Sequence, residues 1–309
     1  MSGGDGNTPP AEAPHGEPPP AAPAGWAAAL EAARERVDAA LRDHGPPLLI
    51  YQMGKVASAT LHHSLRAAPE LAVFHVHRMS PANIERDRAA YARRGITLSP
   101  DNALGLALHE RLCGADSDGP RSGPPARIVT LVREPIGRNV SAFFQNLDRF
   151  VARPDAHATL STDELREAFV ERFPHDEPLT WFDHEWGPVL GLDPWRYPQP
   201  RDRGWQHVTV GRWDLVWMRH DLPDADKLRL LQRAWELPGL DAAVEHPVVR
   251  NRAADKPYAA AYARFLAQVR LPEALVEAAY ASRYATHFLP ADERARLRRR
   301  WLTGPPAQG

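Results

Sequence analysis

Three short apolar runs, each passing through a tight turn into a stretch of helical periodicity, constrain this chain most. Leu48-Leu49-Ile50-Tyr51 leads through Gln52-Met53-Gly54-Lys55 into a helix over 58–68. The run 71–77 (Leu-Ala-Val-Phe-His-Val-His) reads as a second strand, and Ser80-Pro81 opens a polar helix that Gly95 ends. Arg127 to Val132 is a third, β-branched strand. Glu134-Pro135 then starts a helix whose buried stripe is Ile136, Val140, Phe143 and Leu147. Strands alternating with helices predict the α/β class, a three-layer sandwich around a central parallel sheet.

The remaining elements follow from the same periodicities. Trp26, Leu30, Val37 and Leu41 predict a helix over 26–43, stopped by His44-Gly45-Pro46, and Asp101 caps another through Leu112. Further strands are expected at 208–210 and 215–218, with helices at 224–236, 257–269 and 272–282. The segment 151–206 mixes Pro, Trp and charge and yields no assignment. Residues 1–25 are rich in Pro, Gly and Ala without apolar periodicity and are expected to be a disordered tail. One domain is expected over 26–303, with 304–309 a flexible end.

Composition narrows the function classes. With 38 Lys+Arg against 39 Asp+Glu, the chain has no general electrostatic attraction to nucleic acid or to a membrane surface. The arginine run 294–300 is expected to be the exposed face of a terminal helix. No apolar stretch reaches the length of a membrane span and the N-terminus has no leader pattern, so neither membrane anchoring nor secretion is expected. A single cysteine, Cys113, fits a reducing compartment, and the expected location is cytoplasmic.

Ligands of open parallel sheets bind beyond the carboxyl ends of the strands, where loops enter helix N-termini that favour anions. Two such loops stand out. In the first, Gly54-Lys55-Val56-Ala57-Ser58-Ala59-Thr60, small residues let the backbone approach a phosphate while Lys55, Ser58 and Thr60 add donors. It is not a Walker loop, in which lysine follows the glycine turn. In the second, Arg133 ends a strand and Ser141 lies two helical turns on, with Arg138, Ser141 and Gln145 on one helix face.

Together these segments resemble the sulfotransferases that use 3′-phosphoadenosine 5′-phosphosulfate (PAPS). In that family a strand-loop-helix with a Lys-x-Gly-[Ser/Thr]-[Ser/Thr] core holds the 5′-phosphosulfate, and an arginine followed by a serine eight residues later holds the 3′-phosphate. The resemblance implies the P-loop NTPase-like sulfotransferase fold and in-line transfer of a sulfuryl group from PAPS to a hydroxyl acceptor, a carbohydrate or other polyhydroxyl compound. It leaves adenosine 3′,5′-bisphosphate and requires no metal. It assigns the 5′ end to Lys55 and the loop 54–60, and the 3′ end to Arg133 and Ser141 with Arg138 beside them. Lys256 is assigned to a late loop with Asn251, Arg252 and Tyr258 that closes over the nucleotide. Phe74-His75-Val76-His77 is similar to the Tyr-His-Gly-His segment of uronosyl 2-O-sulfotransferases, which implies His77 as base with His75 in support. Alternate strand residues do share a face. A metal bound through His75 and His77 lacks an evident third ligand.

Ala57 and Ala59 depart from the family pattern; Ala57 fits if its φ is negative. The segment 175–183, mixing aromatic and ionisable groups, suits either a sugar-like acceptor or internal packing. Two other functions fit the same sheet. A nucleotide-dependent kinase would need magnesium, a strand-end carboxylate and an intact Walker loop. A non-catalytic nucleotide-binding protein would recruit a partner through its Trp-rich middle. Oligomeric state is not encoded legibly.

Overall fold

The computed structural model describes residues 25–93, 99–114, 125–197, 199, 203–237, 240–245 and 256–304. In chain order the first half runs α1 (Trp26–His44), β1 (Leu48–Tyr51), α2 (Ala59–Leu65), β2 (Val73–Val76), α3 (Pro81–Ala92), α4 (Pro100–Cys113), β3 (Ala126–Val132) and α5 (Pro135–Gln145). Four helices follow, α6 (Leu147–Phe150), α7 (Ala156–Thr159), α8 (Thr162–Arg172) and α9 (Glu177–Leu190), and then the hairpin β4 (Trp205–Val210) and β5 (Trp213–Arg219). The chain finishes with α10 (Asp224–Trp235), α11 (Asp241–Glu245), α12 (Ala259–Gln268), α13 (Glu273–Tyr280), α14 (Arg283–Phe288) and α15 (Ala291–Thr303).

The architecture is α/β, a mostly parallel five-stranded sheet in the order β2-β1-β3-β5-β4, flanked by helices. β1 has β2 on one side and β3 on the other, so the order reverses beside it and a crevice opens at the carboxyl ends there. The expected parallel sheet is found except at one edge, where β4 runs antiparallel to β5. The cause is local: Gly211, at φ 60°, makes the tight turn between Val210 and Trp213 that a hairpin requires. β1 is buried throughout and β3 at every position except Arg127, which explains their largely apolar runs.

The unassigned segment 151–206 is largely helical. Ser161 and Glu164 form a reciprocal capping box at the start of α8. In α9, Trp181, Phe182 and Trp186 are buried in the sheet's core, and Trp213 and Trp217 join them from β5. Those tryptophans are therefore internal packing, which removes them as a surface for recruiting a partner. A second cluster of buried apolar residues, joining α5, α8, α12, α13 and α15, sits apart from the sheet core. The arginine run lies on α15 as expected, with the Arg296 and Arg298 side chains exposed. The Pro-rich tail, Gly95 and residues 305–309 lie outside the described residues, and no described helix is long and apolar enough to cross a membrane.

Gly105 of α4 fixes the spacing between that helix and the segment following β2. A Cβ at this position would lie 1.8 Å from the Arg78 carbonyl oxygen, a backbone atom that cannot swing aside. Gly105→Ala should therefore lower stability by about 2 kcal/mol despite its better helix propensity. A urea midpoint equal to that of the unchanged protein would contradict this.

Candidate functional site

The loops leaving β1, β2, β3 and β5 meet around one cleft of about 1130 Å³. Gly54, Lys55, Ala57, Ser58, Ala59 and Thr60 line it from the first loop, His77 and Arg78 from the second, Arg133 from the third and His220 from the fourth. Ser141 and Arg138 face it from α5. The two segments singled out from sequence touch each other: Arg133 Nη1 donates to the Lys55 carbonyl at 2.9 Å, and Arg138 Nε to the Gly54 carbonyl at 2.9 Å. Val56 is fully buried and anchors the loop in the core.

The loop's conformation is unusual. Lys55 and Ala57 have φ of 70° and 62°, and Ser58 returns to right-handed values. Alternation of hand along a backbone turns successive N–H groups toward one point, a concavity suited to an anion. The backbone N–H groups of 55–60 donate to no described residue. The condition that φ of Ala57 be negative is thus not met. A left-handed alanine costs about 1 kcal/mol, so Ala57→Gly should raise unfolding free energy by about that amount in urea titrations. A destabilised variant would contradict the backbone geometry.

Lys55 is largely withdrawn from water, and burial, then the neighbouring charges of Lys256, Arg138 and Arg133, push its ammonium down to about 8. Lys256 is thereby placed near Lys55, whereas Asn251 and Arg252 lie outside the described residues. Among the described residues neither Lys55 nor Arg133 has a carboxylate within ion-pair distance. Cations gathered in a cleft without counter-charges favour an anionic ligand. Arg138 lines the cleft and has protein partners as well: its three nitrogens face the Gly54 carbonyl, Asn139 Oδ1 at 3.0 Å and Glu177 Oε1 at 3.6 Å. It holds the loop more than it offers a free guanidinium.

The N-terminus of α5 is also not open as expected. Glu134 caps it, accepting from Ile136 N at 3.0 Å and Gly137 N at 2.6 Å, with Tyr280 Oη donating at 2.5 Å. An anion at this place would rely on Arg133 and Ser141, because the helix's first N–H groups are taken.

His77 and His75 have separate environments. His77 Nδ1 lies 2.9 Å from the Gln52 carbonyl oxygen, which can only accept, so Nδ1 carries the proton and Nε2 is left as an acceptor. That ring borders Gly54, at the mouth of the loop. Burial pushes the His77 imidazole below its ordinary range, against smaller opposing pulls from the Gln52 carbonyl and Asp101. A neutral imidazole with a free Nε2 is a competent general base. His75 Nε2 contacts Ser58 Oγ at 2.9 Å. With its proton on Nε2, His75 donates to Ser58 and leaves the serine O–H for a ligand oxygen. Among the described residues no group of three His, Cys, Asp or Glu is placed to hold a metal ion.

Burial lowers His75 to about 3, with the neighbouring imidazoles of His77, His62 and His63 adding to it, and lowers His62 and His220 to about 4, where Arg66 and Arg133 respectively add most. Folded, these rings stay neutral; unfolded, they titrate near 6.5. Stability is therefore full above about pH 6.5 and falls as the unfolded chain takes up protons. The slope approaches about 1.4 kcal/mol per pH unit for each fully shielded ring, less for the partly exposed His62. Urea midpoints measured from pH 7.5 to 5 should fall steadily; a flat profile would refute this.

Several cleft residues were not anticipated. Arg78 pairs with Asp87 at 3.2 Å and Glu177 at 2.9 Å. Burial would raise Glu177, but the Arg78 and Arg138 guanidinium groups outweigh it and hold the carboxyl below its usual value. Lys227, buried, pairs with Asp224 at 2.9 Å beside His220. His220 follows β5 directly and Arg78 lies two residues past the end of β2, and that position is the signal that marks them. Comparison with protein-family models, with curated proteins and with solved structures found no match.

Proposed function

We propose that this protein is a PAPS-dependent sulfotransferase with the P-loop-like sulfotransferase fold, acting on a hydroxyl of a polyhydroxyl acceptor. One observation carries the reading: the Arg133 guanidinium donates to the Lys55 carbonyl at the floor of a single cleft, so a ligand with two separated phosphate groups can meet both anion-binding segments at once. The donor supplies an activated sulfuryl group on a phosphate oxygen.

The chain's residues divide the remaining work. The Lys55 ammonium and the outward N–H groups of 56–60 offset negative charge that builds on the leaving phosphate. Arg133 and Ser141 hold the second phosphate and set the ligand's register along the cleft. His77 Nε2 takes the proton from the acceptor hydroxyl as the acceptor oxygen–sulfur bond forms and the phosphate oxygen–sulfur bond breaks. His75 orients Ser58, and Arg138, held by Glu177, orients Gly54. Lys256 adds positive charge beside Lys55.

The test compares ligands on the intact chain. Adenosine 3′,5′-bisphosphate should raise the melting temperature while magnesium-ATP at equal concentration does so far less. Sulfate label should also pass from PAPS to a polyhydroxyl compound. Equal stabilisation by magnesium-ATP would favour the kinase reading; stabilisation by neither, with no transfer, would end this one.

A further inference from the structure

The cleft does not end at the anion-binding loops. Beyond His77 it runs between α3, α4 and the segment from α5 to α9, and this half has a different chemistry. Its arginines are already satisfied. Arg78 is held by Asp87 and Glu177, and Arg138 by Glu177 and Gly54. Arg149 donates to Tyr91 Oη at 3.3 Å and lies over that ring at 5.5 Å. Asp101, on the first turn of α4, faces the cleft with no cation within ion-pair distance among the described residues, near enough for its charge to act on His77. Tyr91, Phe150 and Tyr262 supply ring surface along the same stretch.

We infer, on the basis of the sulfotransferase reading, that the acceptor is a neutral polyhydroxylated compound of saccharide chemistry, carrying no carboxylate or sulfate near the reacting hydroxyl. Carboxylates accept hydroxyl protons and aromatic rings cover the C–H faces of a sugar, while an acidic sugar would bring its charge against Asp101 without a free guanidinium to meet it. The volume of about 1130 Å³ is ample for an acceptor beside a nucleotide. The two halves of the cleft thus divide by charge. Lys55 and Arg133, without a carboxylate within ion-pair distance among the described residues, gather where the phosphates bind, and carboxylates and rings gather where the hydroxyl arrives.

Calorimetry on the intact protein saturated with adenosine 3′,5′-bisphosphate, using a neutral hexose disaccharide and its counterpart with one hexuronic acid, tests this. Transfer from PAPS to each is followed in parallel. The neutral sugar should bind and react better by about tenfold or more. In Asp101→Asn, which keeps the shape of an exposed helix start, that ratio should shrink severalfold through a lower KM for the uronate. Equal or better use of the uronate by the unchanged protein would overturn the inference. So would nucleotide binding with neither sugar bound, or an unchanged ratio in Asp101→Asn. Absence of bisphosphate binding would instead remove the sulfotransferase reading, and the inference with it.

Discussion

Replacing Lys55 with alanine is expected to lower sulfate transfer from PAPS by about a hundredfold to a thousandfold, with acceptor KM nearly unchanged. Lys55 is the cation that the loop after β1 projects into the cleft, and no carboxylate neutralises it among the described residues. Its depressed proton affinity, about 8, sharpens the prediction. In the free protein near pH 8 the amine is about half protonated, and an arriving phosphate restores the charged form. Binding of adenosine 3′,5′-bisphosphate at that pH should draw in about half a proton, seen as a heat that varies with the buffer's ionisation enthalpy. In Lys55→Ala the uptake should vanish. Full transfer by the variant, or the same proton uptake without the lysine, would refute the role.

Replacing Glu185 with alanine should cost about 3–5 kcal/mol of stability, enough to unfold a marginal domain. Its carboxylate is fully buried in α9 and receives four donors: Tyr51 Oη at 2.6 Å, Met79 N at 2.8 Å, Ser80 N at 3.0 Å and Asn83 Nδ2 at 2.6 Å. Removing it leaves a phenol and two backbone N–H groups buried without an acceptor, and the Asn83 amide with only the His184 carbonyl, at 2.8 Å. Glu185→Gln should fall between, because its amide turns a donor toward donors. Chemical denaturation reads both; an alanine variant within about 1 kcal/mol of the unchanged protein would show the network to be dispensable. The consequence reaches the site, since Met79 and Ser80 follow His77 and Arg78 directly and hold the end of β2 against α9.

Much of this arrangement is legible in the sequence. The runs at 48–51 and 127–132 were readable because buried parallel strands carry no polar alternation, and their following loops named Lys55 and Arg133. The helix start at Glu134-Pro135 was readable too, but not the self-capping that withdraws its N–H groups, which depends on Tyr280 from far along the chain. The second partner of Arg138 is illegible for the same reason: Glu177 lies in the one stretch without a clear period. Two local signals in and near that stretch do mark its structure, the Ser161-to-Glu164 capping box and the Val-Gly-Arg-Trp hairpin turn. The left-handed φ of Ala57 was not legible at all, because alanine gives no local reason to adopt it and the surrounding fold imposes it.

The proton position on His77 is secured by a main-chain oxygen, that of Gln52. A carbonyl of the backbone is present whatever side chain stands at 52, so mutational drift at that position leaves the imidazole's tautomer intact provided β1 keeps its alignment with β2. On the proposed reading, the proton position that a base at His77 needs is therefore tied to the sheet's own ladder rather than to a neighbouring side chain.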